Sequence, residues 1–208
     1  MKQTLLVFLA LMTTTLFMSF APDEKGEQVG YKPGDKAMNF TLKNIDGKMV
    51  SLSDYASSKG VLVVFTCNHC PYSVAYENRI IELHKKYSAK GYPVVAINPN
   101  DAEAYPADSY QNMIERAQEK NFLFAYLHDE SQQIAKTYGA TRTPHVYLLT
   151  QKNKQFTVAY VGAIDDNSNE EENVHKKYVQ DAISDLEAGR SIATPFTKAI
   201  GCSIKWKK

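Results

Sequence analysis

The feature that most constrains the fold is an uninterrupted apolar run, Val61-Leu62-Val63-Val64-Phe65, which ends two residues before a cysteine. Five apolar residues without alternation are typical of a strand that is covered on both faces, as in the middle of a parallel or mixed sheet. Layers of helix on each side of such a sheet supply that cover. The run therefore predicts an α/β architecture.

Strand and helix patterns alternate along the rest of the chain. Apart from the run itself, strands are predicted at 39–42, 49–52, 93–97, 122–127, 145–149 and 156–161. Apolar residues three and four apart predict helices at 68–90, 109–120, 131–138 and 173–188. The loop 98–108 is polar and contains proline, so we expect it to face solvent. With no internal repeat and no long linker, the pattern predicts a single α/β sandwich.

The first 21 residues are predicted not to belong to this fold. Lys2 gives a positive start, 4–20 is mostly apolar, and Ser19-Phe20-Ala21 offers the small residues at which signal peptidase cleaves. We therefore predict a signal peptide over 1–21, a polar lead-in over 22–33 and one domain over 34–208, tail included. The mature protein is expected to be periplasmic or secreted. A retained membrane anchor is the alternative, although the run is short and broken for a stable span.

Net charge and cysteine content narrow the chemistry. The 208 residues carry a formal net charge of +1, so no global field attracts nucleic acid or an anionic membrane. Three cysteines are too few for a small secreted fold held together by disulfides. Cys67 and Cys70 lie three residues apart and Cys202 is left over, which points to redox chemistry.

The Cys67-Asn68-His69-Cys70 motif lies where the central strand is predicted to give way to a helix. Backbone N–H groups and the positive end of the dipole favour an anion at a helix start, so we expect the pKa of the Cys67 thiol to be lowered. Cys67 is then the candidate nucleophile, and Cys70, one turn further on, is the candidate resolving thiol. A protonated His69 would stabilise the thiolate and favour an oxidising couple. An exposed, inert histidine is the alternative for His69.

Metal binding is the rival interpretation of the motif. Structural zinc takes four ligands, usually from two such cysteine pairs, and this chain has a single further cysteine. Copper(I) favours thiolates and would accept Cys67, Cys70 and a histidine. We therefore predict no metal ion and no cofactor, and keep a copper(I)-binding or delivery module as an alternative.

The segment from Val63 to Tyr72 resembles the active-site segment of thioredoxin-fold proteins, and Thr143-Pro144 resembles their cis-proline turn. The match is closer to the peroxiredoxin-like (AhpC/TSA, or redoxin) bacterial members. Two further segments also resemble this branch: Asn98-Pro99-Asn100-Asp101 and the ending around Gly201-Cys202-Ser203. The resemblance covers about 34 to the C-terminus. It implies a thioredoxin-like three-layer α/β/α sandwich around a central mixed β-sheet.

The resemblance also implies roles for single residues. Pro144 would be cis and would leave the backbone of Thr143 free to pair with an extended substrate beside Cys67. Two departures qualify this. The position of the buried acid that thioredoxins commonly carry before the motif is Val61 here, so proton handling would fall to Glu77 or to water. For Glu77, a solvated position on the helix is expected. The peroxidase signature is absent before Cys67, and Arg142 is expected to be a surface residue rather than an activating one.

Cys202 lies in a glycine-flanked tail with Ile204 and Trp206 as apolar anchors. If the tail docks beside the motif, Cys202 is expected to form a disulfide with Cys67 as a third redox cysteine. A small buried hydrophobic role is the equal alternative.

Together these features predict an exported thiol–disulfide oxidoreductase. Its partners would be protein or small-molecule thiols and disulfides and a redox partner protein, with no nucleic acid and no membrane beyond the signal segment. A thiol peroxidase and a copper(I) module remain the alternatives.

Overall fold

The computed structural model of the protein describes residues 30–208. The predicted signal peptide over 1–21 and most of the lead-in lie outside the described residues. Within 30–208 no helix is both long and apolar enough to cross a membrane.

The described residues form strands β1 (Thr41–Asn44), β2 (Met49–Ser51), β3 (Gly60–Phe65), β4 (Val94–Asn98), β5 (Ala125–His128), β6 (Arg142–Thr143), β7 (His145–Lys152), β8 (Gln155–Gly162) and β9 (Cys202–Ser203). The helices are α1 (Pro71–Tyr87), α2 (Tyr110–Glu119), α3 (Gln133–Tyr138) and α4 (Tyr178–Glu187). Each predicted strand and helix is present, with shifted ends.

Seven strands form one mixed sheet in the order β2-β1-β5-β4-β3-β7-β8. Strands β3, β4 and β5 are parallel, while β7 and β8 form an antiparallel pair on one side and β1 and β2 on the other. β6 and β9 form a separate two-stranded ribbon. The mixed sheet agrees with the α/β prediction.

The sheet carries a core on each face. All six residues of β3 are buried, and their side chains alternate between the two cores, with Leu62 and Val64 on one side and Val63 and Phe65 on the other. Residues of α1, α2 and α4 fill the first core, and α3 and the tail residue Ile204 contribute to the second. The result is the three-layer sandwich that the unbroken apolar run predicts.

Helix α1 differs from its prediction in a way that matters for the site. It begins at Pro71, not at 68, and Cys70 is its N-cap residue in extended conformation. Proline suits the first helical position because its missing N–H would have no partner there. The residues from Cys67 to His69 therefore form a turn that precedes the helix.

Candidate active site

Strand β3 and helix α1 place both cysteines of the motif inside the protein. Cys67 follows the end of β3 and is 2% exposed, and Cys70 at the helix N-cap is 1% exposed. The peptide bond between Thr143 and Pro144 is cis, as the resemblance implies. Thr143 approaches both sulfurs: its Oγ1 lies 3.2 Å from Cys67 Sγ, and its carbonyl oxygen lies 3.4 Å from Cys70 Sγ.

The expectation of an acidic Cys67 thiol is wrong for this state of the protein. Burial raises the pKa of Cys67, and the negative charge of Asp108 raises it further. Hydrogen bonds with Thr143 and Ser73 and the backbone N–H of Cys70 act in the opposite direction but are weaker. The physical reason is the late start of α1: Cys67 lies three residues before the N-cap, so desolvation outweighs the helix terminus.

His69 is neither inert nor a free cation beside the thiol. Its Nδ1 lies 2.5 Å from Oδ2 of Asp108, and its ring stacks on Tyr105 with centroids 5.5 Å apart. Asp108 is fully buried and also accepts hydrogen bonds from the backbone N–H of Asn68 and from Asn100 Nδ2. A proton on His69 would thus be paired with a carboxylate that two further donors hold in place.

The loop 98–108, predicted to face solvent, turns its polar side chains inward. Asn98, Asn100, Asp101 and Asp108 are all buried. They are satisfied by one another, by the motif and by the tail, which is why a polar loop can pack against a core here. Asp108 is therefore a site residue that the sequence pattern did not reveal.

Cys202 is joined to Cys70, not to Cys67 as expected. The Cys70–Cys202 disulfide links residues 132 positions apart, with their Cα atoms separated by 6.2 Å, and Cys67 is the free cysteine. The tail brings Cys202 to this place through β9, in which Cys202 pairs with Thr143 and Ser203 pairs with Arg142. The backbone of Thr143, expected to be free for substrate, is occupied by the chain's own tail.

Glu77 was expected to be a solvated helix residue and is instead buried. Its carboxylate accepts from Nε and Nη2 of Arg116 at 2.7 and 2.6 Å, and Nζ of Lys120 lies 3.7 Å away. Glu77 lines a small cavity that also touches Cys67 and Tyr126. The pairing with Arg116 explains why the carboxylate tolerates burial.

One cluster within 30–208 has the ligand types of a metal site. Cys67 Sγ, an imidazole nitrogen of His69 and a carboxylate oxygen of Asp108 lie within 4.8 Å of one another. The imidazole and the carboxylate already bond each other, and Cys70 is held in a disulfide. In this state the cluster offers copper(I) a single thiolate, whereas that ion favours several.

The sheet order, the cysteine pair after the central strand and the facing cis-proline define a thioredoxin-like fold with a buried cysteine site. Residues 33–180 match the AhpC/TSA family over most of that fold. The chain belongs to the AhpC/TSA family.

The chain is also similar to two named proteins and to one solved structure. The chain is 26% identical over 153 residues to the thiol-disulfide oxidoreductase ResA of Bacillus thuringiensis subsp. konkukian, covering 72% of this chain and 80% of the relative. It is 29% identical over 106 residues to the chloroplastic peroxiredoxin Q of Triticum aestivum, covering 51% of this chain and 45% of that protein. The crystal structure of an uncharacterized conserved protein from Geobacillus kaustophilus superimposes with a TM-score of 0.78 at 38% identity, covering 84% of this chain and 92% of that one.

Proposed function

We propose that this chain is a thiol–disulfide oxidoreductase in which the free thiol of Cys67 exchanges with a disulfide held at Cys70. The observation that carries the proposal is the convergence of all three cysteines at Thr143. Its side chain contacts Cys67, its carbonyl oxygen contacts Cys70, and its backbone pairs with Cys202. The similarity to ResA supports the same class of reaction.

The internal step of this function is a balanced exchange. The Cys67 thiolate attacks Cys70 Sγ, the Cys67–Cys70 bond forms, and the Cys70–Cys202 bond breaks. Cys202 leaves as a thiolate and takes up one proton, which replaces the proton that Cys67 has lost. No electrons enter or leave, so the step needs no cofactor. Cys70 is the shared sulfur, and Cys202 acts as the third redox cysteine.

His69 and Asp108 act on the deprotonation of Cys67. A thiolate beside the buried Asp108 carboxylate would place two negative charges within a few ångströms of each other. A proton on His69 cancels one of them, and its bond to Asp108 keeps the imidazole beside the sulfur.

Net turnover requires a partner thiol or disulfide. A dithiol partner attacks the Cys67–Cys70 disulfide, passes through a mixed disulfide and leaves oxidised, while two electrons and two protons reach this chain. The reverse sequence reduces a disulfide partner. Thr143 and Pro144 would position the partner at the edge that β9 occupies. We propose export of the mature chain from the apolar run before Ala21, which N-terminal sequencing of the protein from its host would test.

The function is tested by insulin reduction and by disulfide formation in a reduced, unfolded substrate protein. We expect the wild type to catalyse at least one reaction, and Cys67→Ser and Cys70→Ser to lose at least 100-fold in rate. Ser203→Ala changes an exposed side chain next to Cys202 and leaves all three cysteines in place, so it should retain activity and is the matched control. Wild-type rates in Cys67→Ser would contradict the proposal.

Two other functions have a specific observation in their favour. The similarity to peroxiredoxin Q favours a thiol peroxidase. Against it, Arg142, the candidate for an activating arginine, donates from Nη1 to the carbonyl of Gly201 in the tail. Stopped-flow consumption of hydrogen peroxide by the reduced protein tests this. The cluster of Cys67, His69 and Asp108 places one thiol beside one imidazole, which are ligand types that a copper(I) site would use. An anaerobic copper(I) titration in which Cys67→Ser binds as tightly as the wild type would rule that site out.

A further inference from the structure

The C-terminal tail lies along the edge of β6 as an added strand. Cys202 pairs with Thr143, and the N–H of Ile204 donates to the carbonyl of Thr141 at 3.1 Å. Addition of an extended segment to an exposed strand is a common way of binding peptides, with backbone bonds for affinity and side-chain contacts for specificity. The sequence of the tail therefore indicates which kind of peptide segment binds to this edge.

We propose that this edge selects extended partner segments with the pattern glycine, cysteine, any residue, aliphatic residue, for which Gly201-Cys202-Ser203-Ile204 is the internal template. The proposal rests on the proposed function, because it names the partner segment that the thiol exchange would use. The tail and such a segment compete for one edge, so the partner binds when the Cys70–Cys202 disulfide has opened.

Glycine is required before the cysteine because the backbone passes directly over the cis-proline turn. A Cβ atom added at Gly201 would overlap the carbonyl group of Thr143 and would come within 3.0 Å of the nitrogen of Pro144. Both obstacles are backbone atoms, which cannot rotate away as a flexible side chain can. Arg142 fixes the approach by donating from Nη1 to the carbonyl of Gly201 at 2.9 Å.

The two positions after the cysteine differ in burial. Ser203 is exposed and has no core contact, so any side chain fits there. Ile204 is 3% exposed and belongs to the core beneath the sheet, together with residues of α3. A charged residue at this position would leave its charge unpaired in an apolar site, which is costly.

The backbone of the residues beyond Ile204 is also bound, and these bonds add affinity without sequence preference. Asn100 Oδ1 accepts from the N–H of Lys205 at 2.9 Å, and Gln132 Nε2 donates to the carbonyl of Lys205 at 2.7 Å. The side chain of Gln132 also accepts from the N–H of Lys207 at 2.8 Å. Asn100 and Gln132 are 3% and 1% exposed, so these bonds are held inside the protein.

The first test keeps the full chain and uses the tail as its own probe. The equilibrium between the Cys70–Cys202 disulfide and the reduced pair is measured in the Cys67→Ser background, where no Cys67–Cys70 disulfide competes, in glutathione buffers by alkylation and mass spectrometry. Gly201→Ala should lower the equilibrium constant for disulfide formation at least tenfold, and the exposed control Ser203→Ala should stay within twofold of Cys67→Ser alone. Equal constants in the two variants would overturn the glycine requirement.

The second test uses peptides and a chain that retains Gly201. In the full chain with Cys67→Ser and Cys202→Ser, Cys70 is the one remaining cysteine. A peptide spanning 198–206 carries thionitrobenzoate on its cysteine; the Cys70 thiolate attacks that cysteine, the mixed disulfide forms, and coloured thionitrobenzoate leaves. The chain's own tail competes equally with every peptide, so ratios of rates are unaffected.

Four peptides decide the outcome. The template should react at least tenfold faster than peptides with Gly201→Ala or Ile204→Asp, while Ser203→Ala should match the template within twofold. Equal rates for all four, whether fast or undetectable, would overturn the proposal. The ranking does not depend on turnover, so it stays valid if the insulin assay fails, and a failed ranking leaves the exchange at Cys67 intact.

Discussion

At the scale of single residues, the state of Cys67 is set by two competing electrostatic effects. Burial and the nearby Asp108 carboxylate raise its pKa, while the hydroxyls of Thr143 and Ser73 and one backbone N–H lower it. The raising effects dominate, so at neutral pH less of this thiol is ionised than of an ordinary cysteine. While the Cys70–Cys202 disulfide is formed, Cys67 is therefore a slow nucleophile at neutral pH. Of the two effects that raise its pKa, the charge of Asp108 is the one that a single substitution can remove.

We predict that Asp108→Asn speeds the alkylation of Cys67 at pH 7 several-fold. Removing the negative charge lowers the pKa of the thiol, so the inflection of the rate–pH profile moves to lower pH. Iodoacetamide labelling of Cys67, followed by mass spectrometry from pH 6 to 10, measures this. Glu103→Gln, which removes an exposed charge from the same loop, is the control. A profile that is unmoved in Asp108→Asn would mean that burial alone sets the pKa.

His145, the residue after the cis-proline, links stability to pH. Burial, helped by the charge of Arg142, lowers the pKa of His145 from 6.5 to about 4. In the unfolded chain the His145 imidazole is protonated below pH 6.5, while in the folded protein it stays neutral until about pH 4. The stabilisation is complete above 6.5 and is lost as pH falls to 4, by roughly 3 kcal/mol in all.

We predict that His145→Gln removes this part of the acid sensitivity. Glutamine can still accept a hydrogen bond where His145 Nδ1 accepts from the N–H of Thr141. Urea unfolding at pH 7.5, 5.5 and 4.5 gives the free energy of unfolding for both proteins, and other histidines cancel in the difference. Parallel curves for the two proteins across this range would show that His145 does not carry the linkage.

The site residues that local motifs mark can be predicted from the sequence. Cys67 and Cys70 follow from their spacing after an apolar strand, and Thr143-Pro144 follows from the resemblance. Asp108 lies about forty residues from the motif, and no periodicity connects a loop carboxylate to a distant imidazole. Its role depends on how the loop folds inward, which is a tertiary property.

At the scale of elements, prediction succeeded where the pattern is local. The unbroken run of β3 and the alternating helices are confirmed because burial on one or two faces leaves a periodic trace in the sequence. Strand β9 leaves none: it is two residues long and exists because Thr143 offers an unpaired edge. The partner of Cys202 was mistaken for the same reason, since the register of β9 brings it to Cys70.

The ion pair between α1 and α2 also escaped prediction and has a measurable effect. We predict that Arg116→Met destabilises the protein by about 2 kcal/mol, because it leaves the buried Glu77 carboxylate with Lys120 alone at 3.7 Å. Lys120→Met, the control at a more exposed and distant partner, should cost less than about 1 kcal/mol. Thermal or urea unfolding measures both. Equal losses would show that the bidentate geometry of Arg116 is unimportant.

At the scale of the whole molecule, Cys70 can form either of two disulfides, and these close loops of very different length. The bond to Cys202 spans 132 residues and ties the tail to the start of α1, whereas a bond to Cys67 would close only a short turn. In the chain-entropy description, a loop of this length stabilises the folded state by about 5 kcal/mol and a four-residue loop by about 2 kcal/mol. The redox state of the site is thereby coupled to global stability.

We predict that this difference can be read from unfolding curves of the oxidised and reduced proteins. Wild type and Cys67→Ser should each lose about 5 kcal/mol on reduction, since both hold the Cys70–Cys202 bond when oxidised. Cys202→Ser, left with the Cys67–Cys70 bond, should lose about 2 kcal/mol. Urea unfolding with and without a dithiol reductant, with the disulfide verified by mass spectrometry, gives the three values. Wild type resembling Cys202→Ser would mean that the resting protein holds the short disulfide, and the long one would then be only an intermediate of exchange.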